Sequence, residues 1–153
     1  MFKYLFLLFS LAPIMANAQS SIGKQKDIVK KDLESWKQAN ASFYSKISDL
    51  GNTTTLSIKD PGYGLVKFVY TYDSKKICVS EKTVALTDSA RSNYLNSILE
   101  KKEYEWSKLN GNQYISKFDD KLMIELPGDP KNHSVTVYRA EWTRDIYDML
   151  LKK

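Results

Sequence analysis

The sequence predicts an α+β domain, with a mostly antiparallel sheet and helices packed on one face. Two long segments repeat apolar residues at helical spacing, and several shorter segments alternate apolar with polar residues. The short segments are joined by tight turns, which favours antiparallel neighbours because parallel strands need long crossovers. The predicted order is helix, three strands, helix, three strands, helix. A chain of 153 residues fits one such domain.

The first 18 residues have the pattern of a bacterial secretory signal peptide. Lys3 is followed by the apolar segment Tyr4–Ile14 and then by the triplet Ala16-Asn17-Ala18. The apolar segment is too short to cross a bilayer. We therefore predict cleavage after residue 18, a single globular domain over residues 19–153 without a transmembrane segment, and a periplasmic or secreted location.

The first element of the domain is predicted to be one helix from Ile22 to Leu50. Its apolar residues recur at steps of seven, four and three, and Gly51-Asn52 follows as a stop signal. Asn40-Ala41-Ser42 has modest helix propensity, which leaves open a break into two shorter helices there.

Three strands and a second helix are predicted next. The strands are Thr53–Lys59, Leu65–Tyr72 and Lys76–Leu86, separated by Asp-containing turns. The helix begins at Thr87 or Asp88, and its apolar stripe reaches Trp106 and Leu109 before Gly111 ends it.

The remainder of the chain repeats this order and closes with a short helix. Three strands are predicted at Gln113–Phe118, Lys121–Leu126 and His133–Ala140. The last helix covers Thr143–Lys152 and is predicted to bury Ile146, Met149 and Leu150. Because residues 22–86 and 87–140 share one plan, the sequence suggests a pseudo-duplication.

Composition and motifs exclude several classes of function. The chain carries a net charge of +5, which becomes +4 once the segment containing Lys3 is removed. So small a positive charge on an exported chain gives no reason to expect a nucleic-acid partner. Nucleotide-binding and common hydrolase motifs are absent from the sequence. With one Cys and one His, an internal disulfide and a closed zinc site are excluded, and we predict no metal and no cofactor.

Five residues are candidates for chemistry or binding. Cys78 lies between two β-branched residues, which favours a buried strand thiol over a dimer bridge or a reactive group. His133 could act as a general base, although adjacent Ser134 would point to the opposite strand face. Catalytic residues stay unassigned. Tyr63, held on a glycine-rich loop and expected to be exposed, and Tyr138 and Trp142 are the candidate binding aromatics.

These observations predict an exported, non-enzymatic binding or protein-interaction module. Its partner would be an envelope or extracellular protein, a peptide or a small ligand, held on an open sheet face, at an edge strand or in a groove. The alternative is a small cell-envelope hydrolase that uses His133 and carboxylates. The oligomeric state is left open.

Overall fold

A computed structural model of the chain describes residues 21–85, 87–129 and 131–152. The predicted signal peptide and its cleavage point lie outside these residues. Within the described ranges, no helix is both long enough and apolar enough to span a membrane.

Each half of the described chain contains one α-helix followed by four strands, and in the second half a short 3₁₀ helix (Lys102–Tyr104) lies between the α-helix and the first of these strands. In the first half these are α1 (Lys26–Ala39), β1 (Tyr44–Leu50), β2 (Thr53–Asp60), β3 (Gly64–Tyr72) and β4 (Cys78–Val84). In the second half they are α2 (Asp88–Leu99), β5 (Ser107–Lys108), β6 (Gln113–Ile115), β7 (Leu122–Glu125) and β8 (Ser134–Arg139). A last helix, α3 (Arg144–Leu151), follows β8. The predicted count of three strands in each half is wrong by one.

All eight of these strands form one antiparallel sheet, in the order β1-β2-β3-β4-β8-β7-β6-β5. The first four and the last four strands are each a meander, and the meanders join where β4 pairs with β8. Strands β1 and β5 are therefore the two edges of the sheet. The predicted α+β class with a mostly antiparallel sheet is confirmed.

The predicted first helix ends eleven residues early, and its C-terminal part is the edge strand β1. The helix ends at Asn40, whose backbone angles, φ −119° and ψ 40°, lie outside the helical range, and the Asn40 side-chain amide donates to the Trp36 carbonyl at 2.8 Å. Gly51, with φ of 58°, then makes the tight turn that pairs β1 with β2 along its full length. The predicted break near residue 40 is right, but a strand follows it.

The predicted second helix also ends early, at Leu99 instead of beside Gly111. The chain reverses at Glu105, which has the left-handed φ of 48°. Trp106 folds back and donates its Nε1–H to the Ile98 carbonyl at 3.1 Å. Ser107 and Lys108 then pair with β6 as the second edge strand. Both missed strands are at sheet edges, each directly after a helix.

The two faces of the sheet are covered differently. Helices α1 and α2 pack on one face, which contains the main core with Leu56, Phe68, Tyr94 and Ile98. Rings of Phe68 and Tyr94 meet edge to face with centroids 6.1 Å apart. The small second core, on which α3 packs, includes Ile115.

Helix α3 packs on the opposite face, so the prediction that all helices share one face is wrong for α3. Ile115 of β6 and Met123 of β7 belong to the second core, which also contains Tyr147 of α3. Their neighbours along the strands, Tyr114 and Ile124, belong to the main core. Because successive strand residues point to opposite faces, the two cores lie on opposite faces of the sheet. Tyr147 is the buried residue of α3 that packs against the second core.

The predicted buried residues of the last helix are only partly right. Tyr147 is 6% exposed, and its ring centroid lies 5.5 Å from that of Phe118 and 5.4 Å from that of Trp142. This orientation leaves Ile146 and Met149 exposed, at 44% and 61%. Leu150 is half-buried against the second core, as predicted.

Candidate functional site

Tyr63 is half-buried, so its predicted exposure is wrong. The Asp60 carboxylate accepts hydrogen bonds from the backbone N–H groups of Gly62 and Tyr63, at 2.7 and 2.9 Å. This turn folds the loop back, so that Tyr63 packs against the main core and accepts a 3.0 Å hydrogen bond from Asn93 of α2. The side chain therefore joins the loop to the helix.

Trp142 and Tyr138 lie on the α3 side of the sheet, away from Tyr63. Trp142 is 7% exposed and donates Nε1–H to the Phe118 carbonyl at 3.2 Å. Tyr138 is half-buried, and its hydroxyl lies 2.8 Å from Met123 Sδ. The structure does not bring the three candidate aromatics together, and Trp142 has the surroundings of a core residue.

His133 approaches a carboxylate, as a hydrolase would need. Its Nδ1 is 3.3 Å from Oδ1 of Asp88, in the first turn of α2. Arg91 Nη2 contacts the same oxygen at 2.7 Å, so the imidazole shares this carboxylate with a permanent cation. Ser134 beside it is 2% exposed and therefore closed to a substrate.

Cys78 is a core thiol with no exposed surface. Its Sγ lies 3.7 Å from the Ser80 carbonyl, and burial raises the pKa of the thiol to about 12. Since the thiolate is the reactive form, this side chain is inert in the folded protein. The prediction of a buried strand thiol is confirmed, and a bridge to a second chain would require unfolding.

Glu81 is a buried carboxyl in β4 that the sequence patterning did not single out. It is 3% exposed and lies between Tyr70 of β3 and Val137 of β8 in the sheet register. Neither carboxylate oxygen meets the geometry of a direct hydrogen bond with a described residue, although Ser21 lies close enough to favour the charged form.

Burial raises the pKa of Glu81 well above its ordinary value of 4.5, and Ser21, Lys101 and Lys24 oppose the shift only partly. An unpaired charge at such depth is strongly unfavourable. The carboxyl is consequently held in its neutral form in the folded chain over a wider pH range than usual.

Several hydroxyl groups share the buried face with Glu81. Burial raises the pKa of Tyr72 to about 12, and it raises those of Tyr94 and Tyr70 as well. The hydroxyls of Tyr72, Thr83 and Tyr94 do not meet the geometry of a direct hydrogen bond with a described residue, although Thr54 lies close enough to Tyr72, and Thr83 to Tyr94, to oppose the rise in pKa. The cluster is a neutral polar region inside the core.

The face of β1–β4 that α1 and α2 leave uncovered is here called the open face. Residues paired across neighbouring strands point to the same face, and successive residues of one strand point to opposite faces, so the strand pairing identifies the residues of the open face. They are Tyr44, Lys46, Ser48, Leu50, Thr53, Thr55, Ser57, Lys59, Leu65, Lys67, Val69, Thr71, Ser80, Lys82 and Val84.

The open face carries one sign of charge. Lys46, Lys59, Lys67 and Lys82 are all exposed, and no carboxylate belongs to the set. None of these four lysines forms an ion pair with a described residue. They lie on four neighbouring strands and so span about 15 Å of sheet.

Hydroxyl and apolar groups surround these lysines. Lys59 lies in register between Tyr44 and Leu65, whose exposed fractions are 72% and 39%. Most other open-face residues are Ser or Thr. With Leu50, which is 81% exposed, the surface offers cations, hydrogen-bonding groups and three exposed apolar side chains.

The placement of possible metal ligands and the position of one cleft bear on the candidate residues. No group of three or more His, Cys, Asp or Glu side chains in it is placed to hold a metal ion. A cleft of about 560 Å³ lies between the end of α1 and the start of β1, where Glu34, Lys37 and Phe43 line it. None of the five candidate residues from the sequence lines this cleft.

Comparison with known proteins adds no assignment. No family model matches the chain, and no curated protein or solved structure is significantly similar to it.

Proposed function

We propose that the chain is an exported, non-enzymatic binding module that holds an acidic protein segment on the open face. The observation that carries this proposal is the set of four open-face lysines on β1–β4, which have no carboxylate among them on that face and form no ion pair with a described residue. Export rests on the signal-peptide pattern of residues 1–18, which gives a periplasmic or secreted location.

An acidic partner follows from electrostatic complementarity. A surface with one sign of charge attracts the opposite sign and speeds its association. Hydroxyl groups between the lysines can donate to carboxylate or carbonyl oxygens of a partner, and Tyr44 and Leu65 supply apolar contact. Tyr138 lies at the β8 side of the same sheet face, opposite Ser80. It is the one candidate aromatic that we retain for this surface.

The test replaces three open-face lysines by serine, the residue type that already surrounds them. The Lys59→Ser/Lys67→Ser/Lys82→Ser chain is expected to bind poly-L-glutamate at least about tenfold more weakly at low salt, since each exposed ion pair contributes modestly. Titration by fluorescence anisotropy of a labelled poly-L-glutamate gives the dissociation constants.

A matched control separates the open face from net charge. Lys31→Ser/Lys75→Ser/Lys131→Ser removes the same charge from exposed positions elsewhere. This control is expected to bind almost like the unsubstituted chain. Equal weakening by both triple variants, or no binding by the unsubstituted chain, would overturn the acidic-partner proposal.

The alternative function is a small cell-envelope hydrolase, supported by the approach of His133 to Asp88. We place it second because Arg91 contacts the same carboxylate oxygen. For this alternative, His133→Ala is expected to abolish hydrolysis of any ester or peptide that the chain cleaves while the thermal unfolding midpoint stays unchanged. A folded His133→Ala chain with undiminished hydrolysis removes the mechanism.

We also propose that the two halves arose by duplication, because one helix followed by four strands occurs twice in order. A half-length relative with this helix and these four strands would support that origin. The duplication would be contradicted if the two halves of this chain, once aligned, were no more identical in sequence than two unrelated segments of the same length.

A further inference from the structure

Strand β1 is an edge whose outer side has no partner in the described chain. It pairs with β2 along all seven residues and ends the sheet order. Five of these seven residues are exposed. Such an edge presents unpaired N–H and C=O groups that can accept another strand.

Both ends of β1 carry a large exposed apolar side chain. Tyr44 is 72% exposed and Leu50 is 81% exposed, the two highest values among the large apolar side chains of the described residues. Both belong to the open face, six residues apart, with Ile47 midway between them. Exposed apolar groups on a sheet edge are typical of a contact surface.

We propose that two copies of this chain associate by antiparallel pairing of β1 with β1, about a two-fold axis at Ile47. In this register Ile47 lies opposite Ile47 of the second copy, and Tyr44 lies opposite Leu50. Lys46 lies opposite Ser48, and Ser45 lies opposite Asp49. The interface is isologous, because every contact occurs twice.

The charges on β1 are compatible with this register. Asp49 is already contacted by Lys26 and Lys30 of its own α1, at 2.6 and 3.0 Å, so its charge is balanced within the chain. Lys46 meets a hydroxyl of the second copy, so no like charges lie directly opposite each other.

Neighbouring registers are less favourable. Moving the axis to Lys46 places two lysines directly opposite each other, which is repulsive. Moving it to Ser48 places Lys46 against Leu50 and separates Leu50 from Tyr44. Lys46 therefore selects one register, in the way that charged residues on edge strands restrict pairing.

Pairing of this kind would make the two open faces continuous. The same side-chain alternation runs through both copies of β1, so that both faces point the same way. The pairing does not depend on the proposed acidic partner, since its contacts are the backbone edge and the β1 side chains.

The test changes the charge opposite Lys46. Ser48 is exposed, so substitution there should leave the fold intact. Ser48→Lys places like charges opposite each other twice across the axis and is expected to raise the dimer dissociation constant by about tenfold. Ser48→Glu is expected to lower it, and Lys46→Glu/Ser48→Lys to restore dimerisation. Sedimentation velocity over a concentration series gives each constant.

Ser92→Lys is the matched control, because it adds the same charge at an exposed position of α2. It is expected to dimerise like the unsubstituted chain. A monomeric mass at every concentration would overturn the proposal. A dimer that responds equally to Ser48→Lys and Ser92→Lys would overturn it too, since the contact would then lie elsewhere.

Discussion

Replacing Glu81 by glutamine is expected to flatten the pH dependence of stability and to stabilise the chain at neutral pH. Burial raises the pKa of Glu81 in the folded state above the ordinary value of 4.5 that holds in the unfolded chain. The folded state therefore retains a proton that the unfolded state releases. This contribution to stability is complete below pH 4.5 and is lost as the pH rises toward the folded pKa.

The size of the effect follows from the linkage relation. Within that pH window, the free energy of unfolding is expected to fall by about 1.4 kcal/mol per pH unit for one retained proton. Urea unfolding of the unsubstituted and Glu81→Gln chains at several pH values measures the difference between them. That difference isolates Glu81 from the other titrating groups.

Two further variants make the Glu81 experiment decisive. Glu125→Gln removes an exposed carboxylate from β7 and is expected to leave the slope unchanged. Glu81→Met fills the position with an apolar side chain and should stabilise the neutral-pH fold as well. If the unsubstituted and Glu81→Gln chains keep parallel profiles from acid to neutral pH, the carboxyl is not buried as described.

Truncating Trp142 to alanine is expected to lower the free energy of unfolding by about 3–5 kcal/mol. The side chain fills the second core against Tyr147, and its Nε1–H donates to the Phe118 carbonyl. Denaturant unfolding followed by circular dichroism measures the loss. This effect distinguishes a core residue from the binding residue that the sequence suggested.

Neighbouring substitutions provide the controls for Trp142. Ile146→Ala, on an exposed side of α3, is expected to change stability by no more than about 0.5 kcal/mol. If Trp142→Ala does not accumulate as a folded chain, Trp142→Phe retains most of the packing and loses the hydrogen bond, for about 1 kcal/mol. Trp142 variants as stable as the unsubstituted chain would contradict its place in the core.

Interior strands were the best-predicted elements. The sequence predicted Thr53–Lys59 and Leu65–Tyr72, and the structure has Thr53–Asp60 and Gly64–Tyr72. These strands bury one face against the helices, which requires apolar residues at every second position. A pattern that follows from local alternation can be recognised without knowledge of the partner strands.

The two edge strands were missed for a different reason. In β1, Ile47 and Leu50 continue the helical spacing of α1, although in the strand they point to opposite faces. In β5, Trp106 and Leu109 flank the strand and extend the stripe of α2 in the same way. Edge strands bury little, so their sequences carry a weak alternation that helical spacing can imitate.

The candidate site was only partly accessible from the sequence. Tyr63, Tyr138 and Trp142 were chosen for residue type and turn context, and contacts with distant residues decided their burial. Glu81 was missed because the pairing of β3 with β4 shifts between Thr71 and Tyr72, which leaves one extra residue in β4. Cys78 and Glu81 therefore share a face although they are three residues apart, a separation that places residues of a regular strand on opposite faces.

By itself, the sequence determined the α+β class, the interior strands and the starts of α2 and α3, because propensity, capping and alternation act between near neighbours. Helix α1 begins at Lys26, four residues later than the predicted start at Ile22. Only the tertiary structure decided the strand order, the sheet edges, the buried Glu81 and the lysines of the open face. Those features depend on which strands pair and in what register, and register is set by contacts between residues far apart in the chain.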